Sequence, residues 1–232
     1  MRAELLNNVQ HQHLRLRTDV SAALGDAVVS VPTIPAEFRA LQAHYPIVFQ
    51  PSNDSAGFQP VAMLGLQEGQ NLFLGPQGWE AHHLPYAIER QPLLVGRDGD
   101  EWLVHIDLDS PRLSETDGEP LFLPHGGQSE LLERRIAVLQ ALHEGLQTLP
   151  AFIQALRHYE LLEAMSLDIE QDDGTVRRLG GFYVIHEERF ATLSAEAVTA
   201  LHQAGYLLPI TMAIASIGRF RDLIERARRQ GR

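Results

Sequence analysis

The chain contains no cysteine. Disulfide frameworks, thiolate-held metals, iron–sulfur clusters and cysteine nucleophiles are therefore excluded, and the usual sign of redox compartment is missing. It contains no lysine either, since all 19 basic residues are arginines. Schiff-base chemistry and a lysine general base are excluded with it. Long apolar runs are lacking as well. Residues 1–8 hold no apolar stretch of signal-peptide length. Nothing approaches the roughly 18 apolar residues of a membrane span. The most apolar window, residues 206–217, contains Pro209 and fits a buried helix. These absences predict a cytoplasmic protein without a membrane span. The G-x-S-x-G elbow, the P-loop and the G-x-G-x-x-G fingerprint are missing too.

What is present is acidic. Thirty carboxylates stand against the 19 arginines, a formal charge of −11 over 232 residues. Such a chain is a poor partner for a phosphate backbone, so nucleic acid is not expected. The charge is uneven. Residues 97–133 hold ten carboxylates and two arginines, a balance of −8, whereas 218–232 hold six arginines and two carboxylates, a balance of +4. The basic end reads first as a solvated helix terminus whose cations suit the dipole, and second as a docking tail.

The first half is punctuated like β-structure. Apolar runs at 27–31, 46–49, 60–66 and 71–74 alternate with proline, glycine and asparagine. Asp98-Gly99 between the runs 93–95 and 101–106 predicts a hairpin, and Asp172-Asp173-Gly174 between 167–170 and 176–185 predicts a second. An irregular acidic loop is expected over 107–128. From Ser129 the period changes. Leu132, Ile136, Leu139, Leu142, Leu146 and Leu149 recur at helical steps, and Pro150 is expected to end that helix and open another. Ser194 reads as the cap of a helix stopped by Gly205, and a final helix is expected over 208–228. The fold class is α+β, with a β-rich part at 25–128 packed against a mainly helical part at 129–228 in one domain. Residues 1–24 read as a flexible segment. Leu139, Leu142, Phe152, Leu156, Ile214 and Ile217 are the expected core of the helical layer.

A set of short motifs lies across this plan. It includes Tyr45-Pro46-Ile47-Val48-Phe49, Pro60-Val61-Ala62-Met63-Leu64-Gly65-Leu66 and Asn71-Leu72-Phe73. Trp79, Pro85-Tyr86, Arg90-Gln91-Pro92 and Ile106-Asp107-Leu108-Asp109-Ser110-Pro111 follow. Glu119-Pro120-Leu121-Phe122, Leu131-Leu132-Glu133-Arg134 and Leu179-Gly180-Gly181-Phe182-Tyr183 complete it. In order and spacing these resemble the SapC family of bacterial proteins over about residues 25–225. The resemblance implies a context more than a reaction. Such proteins are encoded beside surface-layer loci, flavin-dependent halogenases, TonB-dependent receptors and cupin-like oxygenases. It carries over no catalytic residue.

Each chemistry-bearing residue also has a plainer structural role. His105 and Asp107 alternate on a strand, so both side chains could face one cavity. With a distant histidine they would form the facial triad of a non-heme iron enzyme. His125, His143, His158, His186 and His202 are the third-ligand candidates, and a strand-end histidine beside an acidic turn is the plainer account. Asp107, Asp109, Ser110, Glu115, Asp117 and Glu119 could recognise a cationic peptide or feed oxygens to a hard cation. Capping of local turns is the plainer account there. His11-Gln12-His13 and His82-His83 read as incidental surface histidines. His143-Glu144 and His186-Glu187 lack the second histidine of a zinc-protease signature. Gly180-Gly181 in a strand marks a bulge more readily than a phosphate cradle. Among the aromatics Trp79, Tyr86, Trp102, Phe122 and Tyr183, the first two are preferred as surface contacts. The sequence therefore predicts a non-enzymatic binding protein with no cofactor, a protein or peptide partner and a possible homo-oligomer. Its partner surface is expected to use Trp79, Tyr86, Asp107, Asp109, Ser110 and Asp117. The alternatives are an iron enzyme using His105 and Asp107 and a surface-layer component.

Overall fold

The computed structural model describes residues 1–54, 56–98, 101–170 and 175–230. Strands pair antiparallel throughout and helices are concentrated after residue 129, so the chain is α+β. It divides into two compact units, neither of them a continuous segment. The first comprises residues 1–27, 74–80 and 86–144; the second comprises 28–73, 81–85 and 145–232.

The first unit is built on the sheet Ala3–Leu5, Glu101–Asp107, Leu93–Asp98, in that order. The pairing of its last two strands is the expected first hairpin, whose turn residues Gly99-Asp100 lie outside the described residues. Alternation along Glu101–Asp107 turns Ile106 inward, into a core of Leu16, Leu93, Leu121, Phe122, Leu131, Leu132 and Leu139. Residues 1–24, which the sequence suggests as a flexible segment, carry two strands here. Ala3–Leu5 adds to the sheet edge, and Arg15–Leu16 is clasped between Leu113–Ser114 and Glu119–Pro120. Burial of Leu16 at 1% exposure secures the clasp.

The second unit holds a five-stranded sheet in the order Leu162–Glu170, Val176–Ile185, Ile47–Pro51, Phe58–Met63, Ser30–Pro32. Strands from both ends of the chain thus share one sheet, joined where Tyr183 faces Phe49. The late hairpin, expected between helices, joins the strands of the β-rich first half in this sheet. Its apolar strands 47–51 and 58–63 pair with each other, the first also with the late hairpin and the second also with 30–32. That hairpin's turn, Asp172-Asp173-Gly174, lies outside the described residues. Opposite Met165–Leu167 the register slips by one residue, and Gly181 takes φ 88°, so the paired glycines form the expected bulge.

Helix Glu130–His158 runs through Pro150 without a break, contrary to the expected division. The physical reason is where the defect falls. Proline has no N–H to offer the carbonyl of Leu146, but Pro150 and Leu146 both face solvent, where water can take that carbonyl. Leu149, Phe152, Ile153 and Leu156 are buried on the other face and carry the helix onward. Ser129 caps its start, its Oγ accepting from Leu132 N at 3.2 Å. Ser194 caps Ala195–Gln203 in the same way, and Gly205 ends that helix with φ 75°. The last expected helix is two, Leu207–Ser216 and Arg219–Gln230, interrupted at Ile217-Gly218. Its buried stripe is Pro209, Ile210, Ala213 and Ser216, which leaves Ile214 and Ile217 only partly covered. Leu139, Leu142, Phe152 and Leu156 are buried as expected.

Gly145 yields a test of packing. In a helix interior alanine is favoured over glycine by about 1 kcal/mol. Here an added Cβ would sit 2.3 Å from Ile34 Cδ1 and 2.9 Å from Ile34 Cβ, and Ile34 is fully buried. Gly145→Ala is therefore expected to destabilise the protein by about 1–3 kcal/mol. Thermal denaturation checks it, and a rise in Tm would mean that Ile34 gives way freely.

Candidate functional site

The expected partner residues lie in the first unit, where the loop after Glu101–Asp107 is ordered by its own side chains. Asp107 Oδ1 accepts from the backbone N–H of Arg2 at 2.9 Å and of Asp109 at 3.2 Å. Ser110 N bonds back to Asp107 O, and Ser110 Oγ accepts from Arg112 N. Further on, Ser114 Oγ accepts from the backbone of Thr116 and Asp117. Asp107 and Ser110 thus serve the turn itself. Asp109 and Asp117 point outward at 56% and 67% side-chain exposure, in surface ion pairs with the Met1 ammonium and with Arg17. Hydrogen bonding and charge from Asp109 raise the Met1 ammonium above its usual value. Glu115 and Glu119 are exposed beside them. The side chains of Asp98, Asp100 and Glu101 lie outside the described residues.

The purpose of that turn is to deliver Arg112 inward. Its guanidinium, 4% exposed, pairs with the fully buried Asp26 carboxylate. It also donates to Asp19 O at 3.0 Å and to Gln91 Oε1 at 3.3 Å. Asp26 Oδ2 in turn accepts from Ser21 N. Sequence reasoning passed over this pair, because Asp26 and Arg112 are 86 residues apart and each looks like surface charge.

Trp79 closes the small ribbon Leu74–Gly75/Gly78–Trp79, and Tyr86 opens helix Tyr86–Glu89; both are half-buried. Trp102 stacks on His143 and packs against the core, which also takes Phe122. Tyr183, in the second unit, meets Phe58 edge-on at 4.9 Å. Beside the acidic loop lies an open cleft of about 380 Å³, lined by Leu14, Arg15, Glu115, Pro120, Phe122 and Leu123 among others.

The iron alternative finds no third ligand among the described residues. The His105 ring lies over Gly96, its Nδ1 1.6 Å from where a Cβ would be, while the Asp107 carboxylate is turned to the loop backbone. Among the described residues no three histidine or carboxylate side chains converge as metal ligands. His11 is not the surface histidine expected. It is 3% exposed, and its Nδ1 accepts from Asn7 N at 3.2 Å.

The second unit holds a constellation that sequence reasoning missed. Glu37 is buried, with Oε2 accepting from Thr33 Oγ1 at 2.7 Å and Oε1 2.9 Å from His83 Nε2. Tyr45 donates its hydroxyl to His83 O at 2.5 Å. His44 lies edge-on to Tyr45 and 5.8 Å from His82 between ring centroids. Burial pushes the His44 imidazole below its usual value, and His82, His83, Arg219 and Arg226 add to the effect. Only the adjacency of His82 and His83 was visible in sequence; their partners come from residues about 40 positions away.

No single helix among the described residues is long and apolar enough to cross a membrane. A model of the SapC family matches residues 6–223. No curated protein and no solved structure matches the chain.

Proposed function

The chain belongs to the SapC family, and from that premise we propose that it is a non-enzymatic binding protein whose acidic first unit receives a cationic peptide or an arginine-bearing protein face. One observation carries this reading: the loop backbone is pinned by Asp107, Ser110 and Ser114, while Asp109, Glu115, Asp117 and Glu119 are left exposed. A fixed, predominantly acidic surface loses little conformational entropy on binding and steers an opposite charge toward it. The first unit holds sixteen carboxylates against eight arginines, a balance of −8, and so concentrates most of the chain's charge. The adjoining cleft, with Leu14, Phe122 and Leu123 in its lining, offers apolar contact for a peptide side chain. The gene neighbourhoods implied by the resemblance suggest a cytoplasmic accessory to an enzyme that modifies a peptide or small molecule, or to its uptake.

The test separates turn-holding from partner-facing carboxylates. A short oligo-arginine peptide should bind the intact protein and weaken steeply with salt. Asp109→Asn with Asp117→Asn should weaken that binding several-fold while shifting stability by no more than about 0.5 kcal/mol. Asp107→Ala should instead lower stability by about 1 kcal/mol, since it removes a shared acceptor from two backbone N–H groups. Peptide binding that is unchanged in the Asp109/Asp117 double variant would refute the reading.

A further inference from the structure

We propose that the arginine-bearing face received by the acidic surface is the chain's own, the helix Arg219–Gln230 of a second copy, so that the protein self-associates head to tail through charge. The inference rests on the reading above and names its partner. The helix is fixed to the second unit by its apolar side. Phe220 and Leu223 are buried, Phe220 stacks on Phe182 at 5.7 Å, and Arg226 lies over the Phe73 ring at 4.6 Å. Held that way round, the helix turns Arg221, Glu225, Arg228 and Arg229 outward. At four, seven and eight residues from Arg221, the other three fall with it in one stripe roughly two turns long.

The stripe carries more cation than its own carboxylate neutralises. Arg221 and Arg229, 85% and 79% exposed, share Glu225 at 3.3 and 4.0 Å. Arg178 and Arg189, also exposed in this unit, are instead paired with Asp168 and with Glu160. Arg228 donates to the carbonyl of Glu170 at 3.5 Å. The acidic surface of the first unit is the converse. Asp109 and Asp117 are held in exposed ion pairs with the Met1 ammonium and Arg17, while Glu115 and Glu119 are exposed beside them. Exposed pairs contribute little and exchange readily for better ones. Every cationic side chain here is an arginine, whose planar fork can meet a carboxylate through two parallel hydrogen bonds. The overall charge of −11 opposes the approach of two copies. At physiological salt, however, exposed charges more than about 8 Å apart are largely screened, so the local match decides. Each copy carries one face of each sign. The contact is therefore heterologous, and it builds from dimers upward unless a ring closes.

Sedimentation equilibrium of the intact protein tests this. The mean mass should rise above the 25.9 kDa of one chain as concentration is raised. Between about 0.15 and 0.5 M sodium chloride the association should weaken about tenfold. Arg221→Glu with Arg229→Glu should weaken it about tenfold or more, and Asp109→Arg with Asp117→Arg should do the same. Both double variants should keep the circular dichroism of the parent, since all four side chains are exposed. Mixed in equal amounts, the two should associate again, because each retains the face that the other has lost. Arg178→Glu should change nothing, because Arg178 is 71% exposed but lies off the stripe. The oligo-arginine peptide should compete with self-association and still bind the Arg221/Arg229 variant. If the peptide binds while the protein sediments as single chains throughout, this inference is overturned and the proposed function stands. If the peptide fails to bind as well, both are refuted. Self-association that persists in either double variant, or a helix that binds anionic lipid vesicles in place of a second copy, would overturn the inference alone.

Discussion

Arg112→Met is expected to cost about 3–5 kcal/mol of folding stability, because it leaves the Asp26 carboxylate buried without its counter-charge. Asp26 is fully buried and Arg112 nearly so, and water cannot make up the loss. That is a large share of the roughly 5–15 kcal/mol by which domains are stable. The pair also ties Asp19, Gln91 and the acidic turn together, so its loss loosens the scaffold under the proposed partner surface. Asp26→Leu combined with Arg112→Met should cost less than the sum of the two changes, since an apolar pair leaves no unpaired charge. The measurement is simple here. Both tryptophans, Trp79 and Trp102, lie in the first unit, so their fluorescence during urea unfolding reports on it selectively. A loss below about 1 kcal/mol in the single variant would show that the pair is dispensable.

Phe152→Ala should be comparably costly, at about 3–5 kcal/mol, and for a different reason. Phe152 is 1% exposed and meets Phe38 and Tyr206 edge-on at 6.2 and 5.2 Å. Truncation loses the transfer free energy of the ring and opens a cavity that its packed neighbours fill only in part. Leu146, on the same helix, is 47% exposed. Leu146→Ala should stay within about 0.5 kcal/mol. Circular dichroism during thermal unfolding checks both. Equal effects at 146 and 152 would show that the helix is held by its backbone and not by its inner face.

The parts of the fold legible in sequence are those settled by neighbours along the chain. Ser129 and Ser194 cap helices through residues three positions ahead, and Gly180-Gly181 bulges within its own hairpin. Asp107 bonds locally to Asp109 N, so turn capping could be read from its setting, but its bond to Arg2 N could not. What escaped was decided at long range. Nothing near Asp26 announces Arg112, and nothing near Glu37 announces His83. Pro150 misled because its rule concerns one hydrogen bond, whereas burial of Phe152, Ile153 and Leu156 decides whether the helix goes on. The late apolar helix was one step out of phase for a similar reason. Its contacts, among them Ser216 Oγ accepting from Ile47 N at 2.9 Å, choose the inward stripe from a segment apolar on nearly every side.

The interleaving of the two units has a bearing on how the molecule can be taken apart. The chain passes between them at 27/28, 73/74, 80/81, 85/86 and 144/145, and the last of these lies inside one helix. No single cut releases either unit whole. Truncated fragments should behave as unfolded or aggregating polypeptides and not as working modules, and neither unit is open to transfer into another protein by simple gene fusion. During synthesis the first unit must wait for residue 144 and the second for the C-terminal helices. Most of the protein therefore leaves the ribosome before either core can close, and its dependence on chaperones should exceed what its modest length suggests.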